Sequence, residues 1–447
     1  MHLSRSMTLR SIWFSLATLV AANATPGASA SASGTAGTWE NLVTTNTDPI
    51  TRRGSSAVFD PDRHQMLVFG GINGVYFSDV IATRLPGNGM FETLMPGDAG
   101  PAGRRDHTAC YDAARHRMIV FGGWDGYFLA DLWALNDDGG TLSWEPLSPA
   151  GAAPPARYGH TMVFDKTHDR LLIFGGYTPG GITNDVWSLS LFGTPAWSQI
   201  VPDGAPPTER YDHAAIYDPV GDRMIVYGGR GTTPRPRFTW SLELSGTPRW
   251  VRLPTVDPLP RAGHSAVYDP VEDRMVILGG APYQGLVTNE LWELSLVGTP
   301  TWNQLAPSGS IQTLTDQSAI YDPVGDRMLV FGGSNGAVPR FSGLNLNRAV
   351  NGVDAPSGPK ASFALHEIVP NPARVQAAVA FTLPDRAPAR LEVIDVAGRR
   401  RFAQDVGPMG AGRHQIGLDL ASFDTGVYWL RLTRAGAAAS RKIVIAR

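Results

Sequence analysis

The sequence predicts an all-β fold in which a six-bladed β-propeller is followed by a small β-sandwich. The main observation is a Gly-Gly pair that occurs six times at intervals of 51–53 residues. Each pair closes an apolar run, such as residues 66–69. A repeat of about 50 residues indicates one supersecondary unit copied around a ring or along a stack. The pairs are Gly70-Gly71, Gly122-Gly123, Gly175-Gly176, Gly228-Gly229, Gly279-Gly280 and Gly332-Gly333.

Each repeat contains signals for four short strands, which is the second observation. An apolar first strand precedes a turn that is clearest at Asp218-Pro219, where the Asp side chain and the fixed φ of Pro favour a reverse turn. The second strand is the run before Gly-Gly, whose unbroken apolar character is typical of a strand buried on both faces. A third strand, such as residues 184–189, precedes a fourth, and four strands make a propeller blade. The fourth strands are marked by Phe91, Trp144, Trp197, Trp250 and Trp302.

The ends of the ring can also be assigned. The sixth repeat has no Trp-bearing fourth strand after residues 341–346. Trp39 lies 52 residues before Phe91, in register with the fourth-strand aromatics. We therefore expect residues 38–43 to complete the last blade, which hides an otherwise open sheet edge.

Gly-Gly at the end of the second strand and Trp in the fourth resemble the kelch repeat, over residues 38–347. This resemblance implies a propeller of six or seven blades, and the repeat count indicates six. In kelch interaction domains an Arg at the start of the blade, together with the loops after Gly-Gly, can hold an acidic peptide.

The amino terminus has the features of an export signal. Arg5 and Arg10 precede an apolar stretch at residues 12–22, and Ala22-Asn23-Ala24 is a suitable cleavage site. The apolar stretch is too short to span a membrane comfortably. We therefore predict a signal peptide at residues 1–24, an Ala/Ser/Gly-rich linker at 25–37 and no transmembrane anchor in the mature chain.

A different β pattern begins after a linker at residues 348–362. Pro370-Asn371-Pro372, residues 395–399, residues 426–428 and the terminal residues 441–444 resemble the C-terminal sorting domain of type IX bacterial secretion. The resemblance covers residues 363–447 and implies an immunoglobulin-like sandwich, the type IX machinery as a partner, and a protein secreted or attached to the outer-membrane surface of a bacterium. A purely structural sandwich is the alternative.

The composition limits the functions that the chain can have. The net charge of −2 gives no indication of nucleic acid binding. The single cysteine, Cys110, excludes an intramolecular disulfide. It aligns with core positions of the other repeats, so we expect a buried side chain rather than a nucleophile.

Two aligned series open the first strands. The first consists of Arg52, Arg104, Arg157, Arg210 and Arg261, with Leu314 in the sixth repeat. Third strands carry an acid in repeats 1, 2, 3 and 5, at Asp79, Asp131, Asp185 and Glu290. An Arg–carboxylate bond inside each of these blades fits the pattern. Ligand binding by the same arginines is the alternative, since guanidinium groups pair well with carboxylates.

The second series lies three residues further on. It consists of Ser55, His107, His160, His213, His264 and Gln317. Its spacing predicts a position around the axis, and we expect the histidines to bond to backbone groups at strand starts. No metal site is predicted, because distances between blades hold such side chains apart.

Arg210 differs because its repeat has Phe238 where the acid is expected. We therefore expect Arg210 to face the axial pocket with Arg230, Arg235 and Arg237, as a positive patch for an anionic group. The loops after Gly-Gly also carry aromatic residues suited to stacking on sugars. These candidate ligand-binding aromatics are Trp124, Tyr127, Tyr177 and Tyr283.

No paired carboxylates and no nucleophile–base set stand out, so no catalytic residue and no cofactor are predicted. The sequence favours a surface binding protein that recognises a glycan or a protein through its propeller loops. The alternative is a carbohydrate-active enzyme with its site in the axial pocket, resembling either sialic-acid epimerases or galactose-oxidase-type copper oxidases. The oxidases use a cysteine crosslinked to tyrosine, which the core position of Cys110 disfavours. A passive envelope component is a third interpretation.

Overall fold

A computed structural model gives the structure of the 447-residue chain. It describes residues 37–42, 52–85, 90–232, 236, 238–282, 286–334 and 341–346, and, in the C-terminal part, 363–369, 371, 373, 376–383, 388–406, 412–420, 423–434 and 437–446. The predicted signal peptide and most of both predicted linkers lie outside these residues. The described residues contain no helix that is long and apolar enough to cross a membrane.

Six four-stranded antiparallel sheets form the first part of the chain, which confirms the all-β prediction. We number these blades by the order of their first strands. Blade 1 is Ser56–Asp60, Gln65–Phe69, Val80–Arg84 and Glu92–Leu94; blade 2 is Thr108–Asp112, Arg117–Trp124, Phe128–Asp138 and Thr141–Pro146; blade 3 is Thr161–Asp165, Arg170–Thr178, Gly181–Ser190 and Ala196–Ile200; blade 4 is Ala214–Asp218, Arg223–Tyr227, Trp240–Glu243 and Arg249–Arg252; blade 5 is Ser265–Asp269, Arg274–Leu278, Leu291–Ser295 and Thr301–Leu305; blade 6 is Ser318–Asp322, Arg327–Phe331, Phe341–Asn345 and Trp39–Asn41. Short strand pairings outside the blades join Ile72–Asn73 to Val75–Tyr76 and Arg261–Ala262 to Ala281–Pro282, with isolated bridges at other loops.

Adjacent blades are joined at the Gly-Gly pairs. The amide of the second glycine donates to the carbonyl of the residue that opens the next blade, as from Gly123 to Arg157 at 2.9 Å. The same bond runs from Gly333 in blade 6 back to Arg52 in blade 1 at 2.9 Å, so the series closes on itself. The repeated sequence signal therefore marks the contact that joins one blade to the next.

The first glycine of each pair is required by its conformation and by its neighbour. Gly122 has a φ of +65°, in the left-handed region that glycine adopts without strain. A Cβ atom at this position would lie 2.8 Å from the Arg157 carbonyl oxygen. Any larger residue would therefore push the next blade away.

The N-terminal strand closes the last blade, as the register of Trp39 predicts. Trp39 pairs with Leu344 and is 9% exposed. Its indole packs in a core that also contains Leu305 and Met328. Blade 6 is thus built from both ends of the propeller sequence.

Trp39→Ala should lower the free energy of unfolding by about 3 kcal/mol, the usual loss when a buried aromatic side chain is removed. Urea denaturation of the full chain measures it. Trp429→Ala is the control, because the Trp429 side chain is 46% exposed in the C-terminal module. Equal stability of Trp39→Ala and the parent protein would show that the N-terminal strand does not hold the ring closed.

The C-terminal module has two sheets and its own core. A three-stranded sheet contains Ala364–Val369, Gln376–Leu383 and Gly412–Asp419, and a four-stranded sheet contains Ala389–Asp395, Arg400–Asp405, Gly426–Arg434 and Ala437–Ile445. Side chains from both sheets, including Phe381 and Leu430, share one buried cluster. No strand of the propeller joins either sheet within the described residues. Its immunoglobulin-like character stays a prediction.

The motif residues of this module hold its chain segments together. The Asn371 side chain bonds to the backbone of the last strand, donating to the Lys442 carbonyl at 3.0 Å and accepting from the Val444 amide at 2.9 Å. Asp395 accepts from the amides of Ala397 and Arg399 and so fixes the turn that follows its strand. These contacts explain why polar residues occur at set positions in an otherwise apolar β pattern.

Candidate functional site

Six residues form a closed backbone ring at one end of the propeller axis. Each lies two residues after the residue that opens its blade, and each amide donates to the carbonyl of the equivalent residue in the preceding blade, at 2.8–3.0 Å. All six have a positive φ, between +52° and +65°. We call this the axial ring; it consists of Gly54, Asp106, Gly159, Asp212, Gly263 and Asp316.

Glycine and aspartate alternate around the axial ring because each carboxyl group occupies the space above a glycine. A Cβ atom at Gly159 would lie 2.6 Å from Oδ1 of Asp212. Asp106 lies over Gly54 and Asp316 over Gly263 in the same way. Three carboxyl groups are thereby held at one mouth of the axis. This alternation is visible in the aligned repeats but was not among the predicted features.

The three carboxyl groups are unusually basic. Burial raises the pKa of Asp106 to about 6, and the effect of Arg105 offsets only part of this. Burial and the neighbouring Asp106 and Asp316 raise the pKa of Asp212 to about 7. Burial also raises the pKa of Asp316. The axial mouth therefore changes its charge near neutral pH.

Three arginines act on the same carboxyl groups. Arg105 pairs with Asp106, and the Arg230 Nε atom lies 3.1 Å from Oδ2 of Asp212. Arg53 is exposed and lowers the pKa of Asp106 and of Asp316. Among the described residues the axial mouth thus holds three guanidinium groups and three carboxyl groups, and full ionisation of all six gives no net charge.

The histidine series lies directly below the axial ring. The four histidines and Gln317 line an axial cavity of about 150 Å³ together with the ring, as their spacing predicts. The expected backbone partners are wrong for Nε2. His107 bonds to the Ser56 hydroxyl at 2.7 Å, and His160 bonds to the Thr108 hydroxyl at 2.8 Å. Each bond joins two neighbouring blades, which makes the histidine a positioning element of the ring.

The arginines that open the blades form the expected ion pairs. Arg157 has no exposed surface, and its two terminal nitrogens donate to Asp185 at 2.7 and 2.9 Å. Burial raises the pKa of Asp185, and the Arg157 hydrogen bonds more than offset this, so the carboxyl stays ionised. Equivalent pairs join Arg52 to Asp79, Arg104 to Asp131 and Arg261 to Glu290.

The expected position of Arg210 is wrong. Its side chain has no exposed surface and does not line the axial cavity. It donates to the Thr208 and Gly228 carbonyls at 3.0 and 3.1 Å. Burial lowers its pKa to about 10. Arg210 therefore stays inside the blade without an acid at the third-strand position, because backbone carbonyl groups accept its hydrogen bonds.

Residues of blades 2, 3 and 4 form an aromatic surface beside the axial mouth. The second and third strands of blades 2 and 3 continue past Gly-Gly and form tall hairpins. The Phe128 ring stacks on Tyr158 and Tyr177, with ring centres 5.6 and 5.9 Å apart. We call this half-buried surface the aromatic wall; it consists of Trp124, Phe128, Tyr158, Tyr177 and Tyr211.

Within the part of the chain that the structure describes, the bridges between the blade-opening segment and the residue after Gly-Gly differ from one side of the mouth to the other. A β-bridge joins the residue that follows the blade-opening residue to the residue that follows Gly-Gly. In blade 3 this bridge pairs Tyr158 with Tyr177. The equivalent pair is Ala262 with Ala281 in blade 5. In blade 6, Thr315 pairs with Ser334. At these positions, bulky side chains therefore face small ones across the axis.

The remaining candidates differ in position. Trp124 and Tyr177 belong to the aromatic wall, whereas Tyr127 is 79% exposed at the tip of the blade 2 hairpin. Arg230 is at the mouth but is paired with Asp212. Arg235, Arg237 and Tyr283 lie outside the described residues. Phe128 belongs to the loop after Gly122-Gly123, where aromatic residues were expected. Tyr158 and Tyr211 were not predicted, because each follows a blade-opening arginine rather than a Gly-Gly pair.

A mixed acidic and histidine cluster lies at the turns between blades 3 and 4. Three possible metal-ligand atoms, one each from Asp165, His168 and Asp222, lie within 4.8 Å of one another. His168 Nδ1 bonds to Asp165 at 2.9 Å, and the Tyr217 hydroxyl donates to Asp222 at 2.9 Å. Between blades 2 and 3, the Arg115 side chain bridges the equivalent acids, Asp112 and Asp169. The cluster is thus explained as a contact between blades.

Cys110 is buried, as predicted. Its thiol donates to the Met162 carbonyl at 3.4 Å. Burial raises the pKa of the thiol to about 12. A neutral thiol in this position is a poor nucleophile.

Comparison with known families decides the relationship. The model of the KLHDC2/KLHL20/DRC7 Kelch-repeats domain matches residues 87–233 and 191–348, which is more than half of the chain. The chain belongs to the kelch-repeat family. The model of the secretion system C-terminal sorting domain matches residues 367–446. The protein is therefore a kelch propeller with a sorting module, and it is secreted or held at the outer-membrane surface of a bacterium.

Curated relatives match part of this chain. The chain is 28% identical to multiple epidermal growth factor-like domains protein 8 of Rattus norvegicus over 69% of its own length, but over only 12% of the rat protein. It is 30% identical to putative adagio-like protein 2 of Oryza sativa subsp. japonica, over 57% of this chain and 42% of the rice protein. The chain thus spans less than half of each relative.

A solved structure has the same fold. It is a fungal alcohol oxidase of the AA5 family in complex with copper, with a TM-score of 0.50 and 14% sequence identity over 88% of this chain and 85% of the oxidase. At this identity the likeness shows the fold alone.

Proposed function

We propose that this kelch propeller binds a glycan at the axial mouth, on the surface formed by the aromatic wall and the axial ring. The observation that carries the proposal is the aromatic wall beside the carboxyl groups of the axial ring and the arginines that pair with them. Aromatic rings in a concave site, together with a few convergent polar groups, are typical of small-ligand recognition.

The charge balance favours a hydroxyl-rich ligand. Asp106 and Asp212 accept hydrogen bonds, while Arg53, Arg105 and Arg230 only donate them. A sugar hydroxyl both donates and accepts, so neighbouring hydroxyls can bond to both kinds of group at once. A strongly charged ligand would meet a repelling group for each attracting one. The predicted positive patch for an anion is therefore not part of the proposal.

The sorting module supports a role outside the cell. A protein that the type IX machinery carries across the outer membrane meets polysaccharides of its own envelope, of other cells and of nutrients. Kelch loops supply the binding surface and the sorting module supplies delivery, so one chain combines a recognition module with its placement.

The experiment is a combined glycan and peptide array probed with the purified propeller, followed by calorimetry on the strongest glycan. Tyr177→Ala should weaken this affinity by about tenfold, equivalent to 1.4 kcal/mol, since it removes a stacking surface. Tyr111→Ala is the matched control. It changes a half-buried tyrosine at the other end of a first strand, where its hydroxyl bonds to Asp62.

The outcomes are distinct. Equal affinity of Tyr177→Ala and the parent protein would remove the aromatic wall from the site. Binding of peptides without glycans would replace the glycan by a protein ligand. Absence of any bound glycan or peptide would favour the passive envelope role.

One observation favours an enzyme as the second candidate. Asp106 and Asp212 have pKa values of about 6 and 7, which suit a general acid or base at neutral pH. Both carboxyl groups line the axial cavity. Incubation of the bound glycan with the protein, followed by mass spectrometry and NMR, would detect turnover or epimerisation, and Asp212→Asn should abolish it.

A further inference from the structure

A repeated hydrogen bond between blades is missing at one position. At five of the six contacts between neighbouring blades, the residue three positions after the blade-opening residue bonds to a hydroxyl group of the neighbouring blade. That hydroxyl belongs to the residue that begins the neighbour's first strand. The hydroxyl residues are Ser56, Thr108, Thr161, Ser265 and Ser318. The equivalent residue of blade 4 is Ala214, which has no hydroxyl to offer His264.

His264 is consequently a buried imidazole without a partner for Nε2. Nδ1 is unpartnered in all four histidines, but in His264 neither ring nitrogen has a hydrogen bond among the described residues. The side chain is only 6% exposed. Burial lowers its pKa to about 3, so the ring is neutral, with one nitrogen able to donate and the other able to accept. A buried polar group of this kind calls for a partner beyond the described residues.

The axial cavity gives such a partner access. His264 lines the cavity of about 150 Å³ below the axial ring. Ala214 lines a second cavity of about 220 Å³. The two cavities share Ser55, His107, His160 and His213 among their lining residues. The alanine and the unpartnered histidine therefore lie along one axial path.

We propose that the axial cavity takes one primary hydroxyl group of the bound glycan, with His264 as its hydrogen-bond partner and Ala214 providing the space. The inference rests on the proposed function, because it assigns a part of the glycan to a part of that site. A sugar ring that stacks on the aromatic wall remains outside the cavity. The group that enters it is then a substituent on a short arm, as the hydroxymethyl group of a hexose is.

A water molecule would hold this position in the free protein, since the place is polar and has room for one. The sugar hydroxyl would replace the hydrogen bonds of the water, so its entry costs little. Selection for a hexose over the matching pentose follows, because the pentose leaves the cavity unfilled.

The test compares matched sugars and a variant that restores the repeat pattern. The probes are methyl glycosides of glucose, galactose and mannose and their counterparts xylose, arabinose and lyxose, which lack the hydroxymethyl arm. Ala214→Ser places at blade 4 the hydroxyl that blades 1, 5 and 6 carry. NMR titration of the full chain measures each affinity, and thermal denaturation measures stability.

We expect the parent protein to bind at least one hexoside about tenfold more tightly than its pentoside. Ala214→Ser should raise the melting temperature and remove this preference, because the introduced hydroxyl would occupy the space and bond to His264. Ala214→Val should remove the preference without raising the melting temperature, since valine fills the space but offers no hydroxyl.

Contradicting results can be separated from failure of the proposed function. A preference for the hexoside that persists in Ala214→Ser would overturn the inference. If the melting temperature also rose, the unpartnered His264 would mark a water site and not a sugar site. Binding without any hexose preference would also overturn it, while a response to Tyr177→Ala would keep the glycan proposal. Absence of binding to every probe and to the glycan array would overturn both.

Discussion

Removal of residues 363–447 should leave a folded propeller that no longer reaches the cell surface. The strands of the C-terminal module belong to two sheets of their own, and among the described residues their buried cluster contains only residues of that module. The sorting-domain match covers residues 367–446, so the deletion removes all of it. Loss of the module should thus abolish delivery without opening the propeller core.

Cell fractionation and protease treatment of intact cells measure this delivery. The truncated chain should accumulate in the periplasm, protected from added protease, while the full chain is cleaved at the surface. Circular dichroism of the purified truncated chain should show the β signal and cooperative melting of a folded propeller. Surface exposure of the truncated chain would contradict the sorting role.

Arg157→Ala should lower the free energy of unfolding by about 3–5 kcal/mol, the range observed when one member of a buried ion pair is removed. The guanidinium group also donates to the Gly175 and Pro155 carbonyls at 2.8 and 3.0 Å. Within the described residues, alanine would leave the Asp185 carboxylate with the Trp187 and Thr183 side chains as its side-chain donors. An ionised carboxyl group without its guanidinium partner in this buried place lowers the stability of the folded chain.

Arg210→Ala is the matched comparison, because Arg210 is equally buried but has no carboxylate partner within the described residues. Its removal loses hydrogen bonds to carbonyl groups and leaves no unpaired charge, so we expect a smaller loss of about 1–3 kcal/mol. Asp185→Asn in the Arg157→Ala background should recover part of the stability. Urea denaturation measures all four proteins, and equal losses for the two arginine variants would refute the ion-pair explanation.

The repeat pattern predicted much of the architecture. The six Gly-Gly pairs located the second strands, and Trp39 revealed the strand that closes blade 6. The co-occurrence of Arg and acid predicted the four ion pairs inside blades. These predictions succeeded because each concerns a contact that recurs at a constant spacing, and a constant spacing is visible in a sequence.

The candidate site was predicted less completely. Trp124 and Tyr177 were correctly expected among the loops after Gly-Gly, but Tyr158, Tyr211 and the three axial aspartates were missed. Arg210 was expected at the axial pocket and is instead buried. A sequence comparison shows that Arg210 lacks an acid; it does not show that the carbonyl groups of Thr208 and Gly228 replace it.

The sequence alone thus determined the repeated unit, the number of repeats, the closing strand and the sorting module, since these depend on periodicity and on motifs read along the chain. The tertiary structure decided which side chains meet at the axis. Six residues about 50 positions apart become neighbours only when the ring closes, and the burial of Asp106, Asp212 and His264 depends on that closure. The chemistry of the axial mouth is therefore a property of the closed ring rather than of any single repeat.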